Sequence, residues 1–189
     1  MKLLYIHGYL GHGNGSASQH IKDALSKRGI DCSVDAPDFD VTNPKGMRLR
    51  LTELISQGGY DYVAASSMGA FYLMQVGGIT RIMLNPAMPE DLKNIRNSDP
   101  EENPLLTDEL LSDLEAEKKF FFDFVLDEKA ISESYFIFGT KDNIAHNEGL
   151  IREKYSLDGH IFNVEMGHKM EPAGAEKICD IIEMLNQGE

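Results

Sequence analysis

Apolar residues along this chain fall into short runs of two kinds. The first kind is nearly unbroken: Lys2–Ile6, Cys32–Val34, Tyr62–Ala65, Arg81–Leu84, Tyr135–Phe138 and Ile161–Val164. Runs of this length predict strands buried on both faces. The second kind repeats at helical spacing. Ser16–Ser18 offers an N-cap, Ile21, Ala24 and Leu25 follow, and Gly29 stops the helix. Pro44 opens a second helix whose apolar positions are Met47, Leu49, Leu51, Leu54 and Ile55, closed by Gly58-Gly59. Further helices are expected after Ser67 as far as Gly77-Gly78, over Glu148–Tyr155 and over Ala173–Leu185. Six strands alternating with helices predict an α/β fold with a mostly parallel sheet and helices on both faces, built as one domain over 1–189.

Residues 88–130 interrupt this rhythm. The segment holds 13 Asp and Glu against 5 Lys and Arg. A helix is expected from Thr107, with acids in its first turn and Lys118-Lys119 near its end, both favourable to the helix dipole. Phe120, Phe121, Phe122, Phe124 and Val125 follow it. Too short to bury a core of its own, the segment reads as a cap insertion that leaves the strand end beside Ser67 and sits over it. Its Phe120–Val125 cluster is a candidate wall for an acyl pocket. Its acids would disfavour anionic substrates near the entrance, by a salt-dependent effect.

A length of 189 residues suits one sizeable core, and 42% apolar with 26% charged residues is an ordinary globular composition. The net charge of −13, with no basic stripe, argues against nucleic acid or an anionic membrane as partner. Cys32 and Cys179 lie far apart in apolar surroundings and read as buried, inert thiols in a reducing, cytoplasmic setting. Leu3–Ile6 is too short for a signal segment and runs into glycines, so it reads as the first strand. No run approaches the roughly 18 apolar residues of a membrane span.

The stretch Ala65-Ser66-Ser67-Met68-Gly69 joins a strand to a helix with small residues at the flanking positions. A sharp turn there lifts the Ser67 hydroxyl above the sheet, where it can act as a nucleophile. Centring the turn on Ser66 would put Met68 where a small residue is needed, so Ser67 is preferred. A serine needs a base, an orienting acid and donors for the developing oxyanion. The first strand ends in His7-Gly8-Tyr9 and a glycine-rich loop, which nominates the backbone N–H groups of Tyr9 and Met68 as an oxyanion hole, with His7 shaping the loop. Asp142, after the strand that follows the insertion, is the acid; Asp127, inside the insertion, is the second choice. His168, in the loop before the last helix, is the base. Singly, each residue has a plain reading: a helix-capping serine, a turn aspartate, a surface histidine. The order Ser67, Asp142, His168, each at a strand's C-terminal end, is what joins them. His12, His20, His146 and His160 carry no such pattern.

With YIHGY at 5–9, SSMG at 66–69, NPAMPEDL at 85–92, GTKDNIA at 139–145 and EMGHKM at 165–170, the chain resembles the α/β-hydrolases, and among them the small YqiA/YcfP-type serine esterases. The resemblance implies an α/β-hydrolase-like three-layer sandwich. It also implies hydrolysis of carboxylic ester or thioester substrates through an acyl-enzyme, with no cofactor and no metal. Ala65 replaces the usual first glycine of the elbow and Ala70 a glycine that often follows it.

Two other readings remain open. Gly11-His12-Gly13-Asn14-Gly15 follows a strand and Asp35 ends the next one, as in a dinucleotide-binding unit, but the third glycine of the fingerprint is Ser16 or Ser18. A non-catalytic small-molecule binder on the same scaffold is the other. Gly-Lys-Ser/Thr is absent, and His7 and His12 have no ligand partner at metal spacing. Whether the chain is a monomer or a homo-oligomer is open.

Overall fold

The structure is a computed structural model and describes residues 1–122, 128–155 and 159–187. Six parallel strands form one sheet in the order β2-β1-β3-β4-β5-β6. They are β1 (Lys2–Ile6), β2 (Ser33–Asp35), β3 (Tyr62–Ser66), β4 (Thr80–Leu84), β5 (Ser134–Gly139) and β6 (Ile161–Val164). The reversal between β1 and β3 puts the C-terminal ends of these two central strands side by side, with Ile6 opposite Ala65. Ligand sites of open parallel sheets form at such ends.

The four central strands are largely apolar because both of their faces are covered. Leu4, Ile6, Val63, Ala65, Met83, Phe136 and Phe138 belong to one core. Their neighbours Leu3, Tyr5, Ala64, Ile82, Leu84 and Ile137 belong to the other. The second core is closed by α1 (Ser16–Arg28) and α8 (Pro172–Gln187), the first by α2 (Pro44–Gly58), α3 (Met68–Met74) and α7 (Glu148–Tyr155). Side chains alternate across a strand, so each run supplies both layers at once.

Several local expectations shift. The N-cap of α1 is Gly15, not a serine, and Ser18 instead donates its hydroxyl to the Gly15 carbonyl at 3.0 Å. Leu49 is 61% exposed, because it lies about 200° round α2 from Met47, which is buried. The helix after Ser67 ends at Met74, before Gly77-Gly78. Arg81 explains the early stop. Its guanidinium is fully buried and donates to the carbonyl of Met74 (3.0 Å), the last helical residue, and to that of Val76 (2.6 Å) in the turn beyond. Cys179 is buried and burial pushes its thiol up to about 11, whereas Cys32 is only half-buried. Both thiols are free.

Between β4 and β5 the chain forms α4 (Pro89–Ser98), α5 (Asp108–Phe120) and the short α6 (Glu128–Ser132). Thr107 caps α5, accepting from the Leu110 N–H. Lys118 of α5 pairs with Glu90 of α4, and Arg48 of α2 with Glu117 of α5 at 3.3 Å. Asp127, Phe124 and Val125 lie outside the described residues.

Candidate active site

The turn from β3 to α3 is sharp because Ser67 adopts φ 54°, ψ −127°, a left-handed conformation unusual for a residue with a Cβ. Its own N–H is anchored to the Leu84 carbonyl at 2.9 Å. The turn also needs close approach to the loop after β1. A Cβ on Gly69 would stand 2.4 Å from the His7 carbonyl, and one on Gly8 would stand 2.7 Å from the Ser67 Cβ. Both positions therefore require glycine. Ala65, by contrast, directs its methyl into the first core, which accommodates it.

The two serines separate cleanly. The Ser66 hydroxyl is 2.7 Å from the phenol oxygen of Tyr5, which burial pushes up to about 12 and keeps protonated. The Ser67 hydroxyl is 2.8 Å from His168 Nε2, and His168 Nδ1 is 2.9 Å from Asp142 Oδ2. An ionised carboxylate only accepts, so Nδ1 carries the ring proton and Nε2 is left to accept from the serine. Asp142 Oδ1 accepts the N–H groups of Ile144 (2.8 Å) and Ala145 (3.1 Å). Burial by itself would raise the Asp142 carboxyl; the His168 hydrogen bond and these backbone donors outweigh it and hold the group below the usual carboxylate range. The Asp142 and His168 side chains are 4% and 12% exposed, so Ser67 faces solvent from a largely dry relay.

The loop after β1 is tied down by His7. His7 Nε2 accepts the Phe39 N–H at 2.9 Å, so Nδ1 bears the proton and donates to the Gly8 carbonyl, also at 2.9 Å. Gly11 N–H closes a turn onto the same carbonyl at 3.0 Å, and the turn carries Tyr9 into the wall of the cleft beside Ser67. Met68 is the first residue of α3, a position whose N–H has no intrahelical acceptor.

Two residues without a sequence-level role hold the loops of Asp142 and His168 in place. Asn85 is fully buried at φ 44°. Its Oδ1 accepts the Gly139 N–H at 2.7 Å, and its Nδ2 donates to the carbonyls of Gly167 (2.9 Å) and His168 (3.0 Å). Asp91, on the first turn of α4, accepts the N–H groups of Met88 (2.8 Å) and His146 (3.2 Å) and the Asn147 amide (2.9 Å). The Asp142 loop is thereby fastened to α4. An acid in the first turn after Pro89 was the available signal for this helix.

A cleft of about 450 Å³ opens beside Ser67. Its walls include Tyr9, Leu10, Leu92, Ile95, Ile144 and Met170. Among the described residues, the segment after β4 contributes through Leu92, Ile95 and Asn103, and Phe120, Phe121 and Phe122 do not line the cleft. Phe121 is buried in the first core and Phe120 is 55% exposed. Among the described residues no carboxylate lines the cleft.

Asp35, the acid of the dinucleotide reading, is engaged with Lys2 and the Tyr60 hydroxyl, both at 2.9 Å. Among the described residues no three His, Cys, Asp or Glu side chains converge to hold a metal ion, and no helix is long and apolar enough to cross a membrane.

No protein-family model and no curated protein matches the chain. Solved structures do. Alpha/beta hydrolase domain-containing protein 10 from mouse is similar over 100% of this chain and 90% of its own, at 12% identity and TM-score 0.58. Est1E from Butyrivibrio proteoclasticus aligns over 99% and 87%, at 16% identity and TM-score 0.62. A pyrethroid hydrolase from Sphingobium faniae JZ-2 aligns over 97% and 96%, at 15% identity and TM-score 0.59. Identities this low speak for the fold alone: the chain has the α/β-hydrolase fold.

Proposed function

We propose that the chain is a serine hydrolase of carboxylic esters or thioesters. The observation that carries this reading is the hydrogen-bonded chain from Ser67 through His168 to Asp142, with a strained serine at its head. In this mechanism Ser67 Oγ attacks the substrate carbonyl carbon while His168 Nε2 takes its proton. Asp142 stabilises the imidazolium without being protonated itself. The N–H groups of Tyr9 and Met68 receive the oxyanion. As the tetrahedral intermediate collapses, His168 returns the proton to the departing alcohol or thiol, leaving the acyl group on Ser67. Water, deprotonated by His168, then attacks the acyl carbonyl; a second collapse frees the acid and returns the proton to Ser67.

The fold shared with esterases and hydrolases, and the largely apolar cleft, fit this chemistry. A panel of p-nitrophenyl and CoA esters of graded chain length tests it. Wild-type protein should hydrolyse part of the panel, and Ser67→Ala should lose several orders of magnitude in rate. Equal rates for the two proteins would reject the reading.

A further inference from the structure

The loop after β1 contains glycine at 8, 11, 13 and 15, yet among the described residues none of these has positive φ. Leu10 does, at φ 56°. It is the third residue of the turn that Gly11 N–H closes onto the Gly8 carbonyl. A turn with positive φ at its third residue favours glycine or asparagine, because a larger side chain crowds the following carbonyl. The leucine is therefore unfavourable for the backbone. It is also unfavourable for the surface: its side chain is 65% exposed and belongs to neither core. Both costs fall on one residue, next to Tyr9 and on the rim of the Ser67 cleft. Local strain of this kind gathers where function holds it.

Resting on the ester-hydrolase reading, we propose that Leu10 forms the outer wall of a subsite for an aliphatic chain of the substrate and closes over that chain when it binds. The remaining walls fit such a ligand. Leu92 and Ile95 of α4, Ile144 of the Asp142 loop and Met170 after His168 line the same cleft. The chain can belong to the acyl group or to the alcohol; both present the same methylene surface.

The test compares methyl acetate, methyl hexanoate and hexyl acetate as substrates for wild type and Leu10→Asn. Asparagine tolerates the backbone and removes the apolar wall. The ratio of kcat/KM for a six-carbon ester to that for methyl acetate should fall about fivefold, as expected from losing part of one leucine's burial. The methyl hexanoate arm assigns the subsite to the acyl chain, and the hexyl acetate arm to the alcohol. In the Ser67→Ala background, where esters bind without turnover, the dissociation constant of the same ester should rise by a similar factor. The melting temperature should not fall, since the substitution relieves strain.

Unchanged ratios and dissociation constants for both six-carbon esters overturn the proposal. So does an equal loss on all three esters with a lower melting temperature, which makes Leu10 structural. Weakened six-carbon binding in a protein that hydrolyses none of the esters upholds the subsite and rejects the hydrolase reading. Absence of both hydrolysis and binding rejects both.

Discussion

Replacing Asn85 with alanine should damage the site without altering any of the side chains proposed to react. The side chain accepts one hydrogen bond, from the Gly139 N–H, and donates two, to the carbonyls of Gly167 and His168. At about 1 kcal/mol net for each bond, their loss costs about 3 kcal/mol. Alanine at φ 44°, a region asparagine tolerates, adds about 1 kcal/mol. A sum of about 4 kcal/mol corresponds to a fall in Tm of roughly 8–16 °C for a chain of this size. Two of the broken bonds end on the segment carrying His168, so kcat should drop about 100-fold through misplacement of the base, with a smaller change in KM. Asn85→Asp keeps the shape and the acceptor for Gly139, but sets an oxygen against two carbonyls. It should therefore be no better than alanine. Thermal unfolding followed by circular dichroism, and single-turnover ester hydrolysis, read the two effects. An Asn85→Ala protein melting within about 3 °C of wild type, at an unchanged rate, would refute this account of how the His168 loop is held.

Asp142→Asn should lower kcat by about 10⁴, since the amide permits the wrong imidazole tautomer; burst kinetics with a p-nitrophenyl ester will show it. The Asp142 carboxyl is held below its usual range in the folded protein, so its ionised form adds stability above the unfolded value of about 3.9 and loses it as pH falls through the folded value. Denaturation series should accordingly show the stability gap between wild type and Asp142→Asn closing below about pH 4. Ser66→Ala strands the buried Tyr5 phenol at a cost of about 2 kcal/mol, so Tm should drop by roughly 4–8 °C while a serine-directed probe still reacts at position 67.

The strands were legible because a sheet covered on both faces needs unbroken apolar runs, and these are hard to mistake when Gly, Pro and Asn bound them. The order of Ser67, Asp142 and His168 was legible for a related reason: each stands just past a strand's C-terminal end, so reading the strands located the loops. Helix α4 was not. Its sequence, PEDLKNIRNS, offers only Leu92 and Ile95 as an apolar stripe, and what holds its start is the Asp91 carboxylate gathering N–H groups from two segments. The same limit hid Asn85. Its partners are backbone groups of Gly139, Gly167 and His168, and backbone partners leave no trace in side-chain patterns. The described part of the Phe120–Val125 cluster stays out of the cleft wall, because proximity in the chain does not fix proximity in space. Leu92 and Ile95 reach the cleft, while Phe121 turns into the core.

The proposed hydrolase chemistry stands on Ser67 acting as a nucleophile activated by His168. Incubation with a fluorophosphonate, followed by mass mapping of the adduct, tests it most directly. A single adduct is expected on Ser67, absent from Ser67→Ala and formed far more slowly in His168→Ala. Folded wild-type protein that takes up no label, or takes it up equally well without His168, would contradict it.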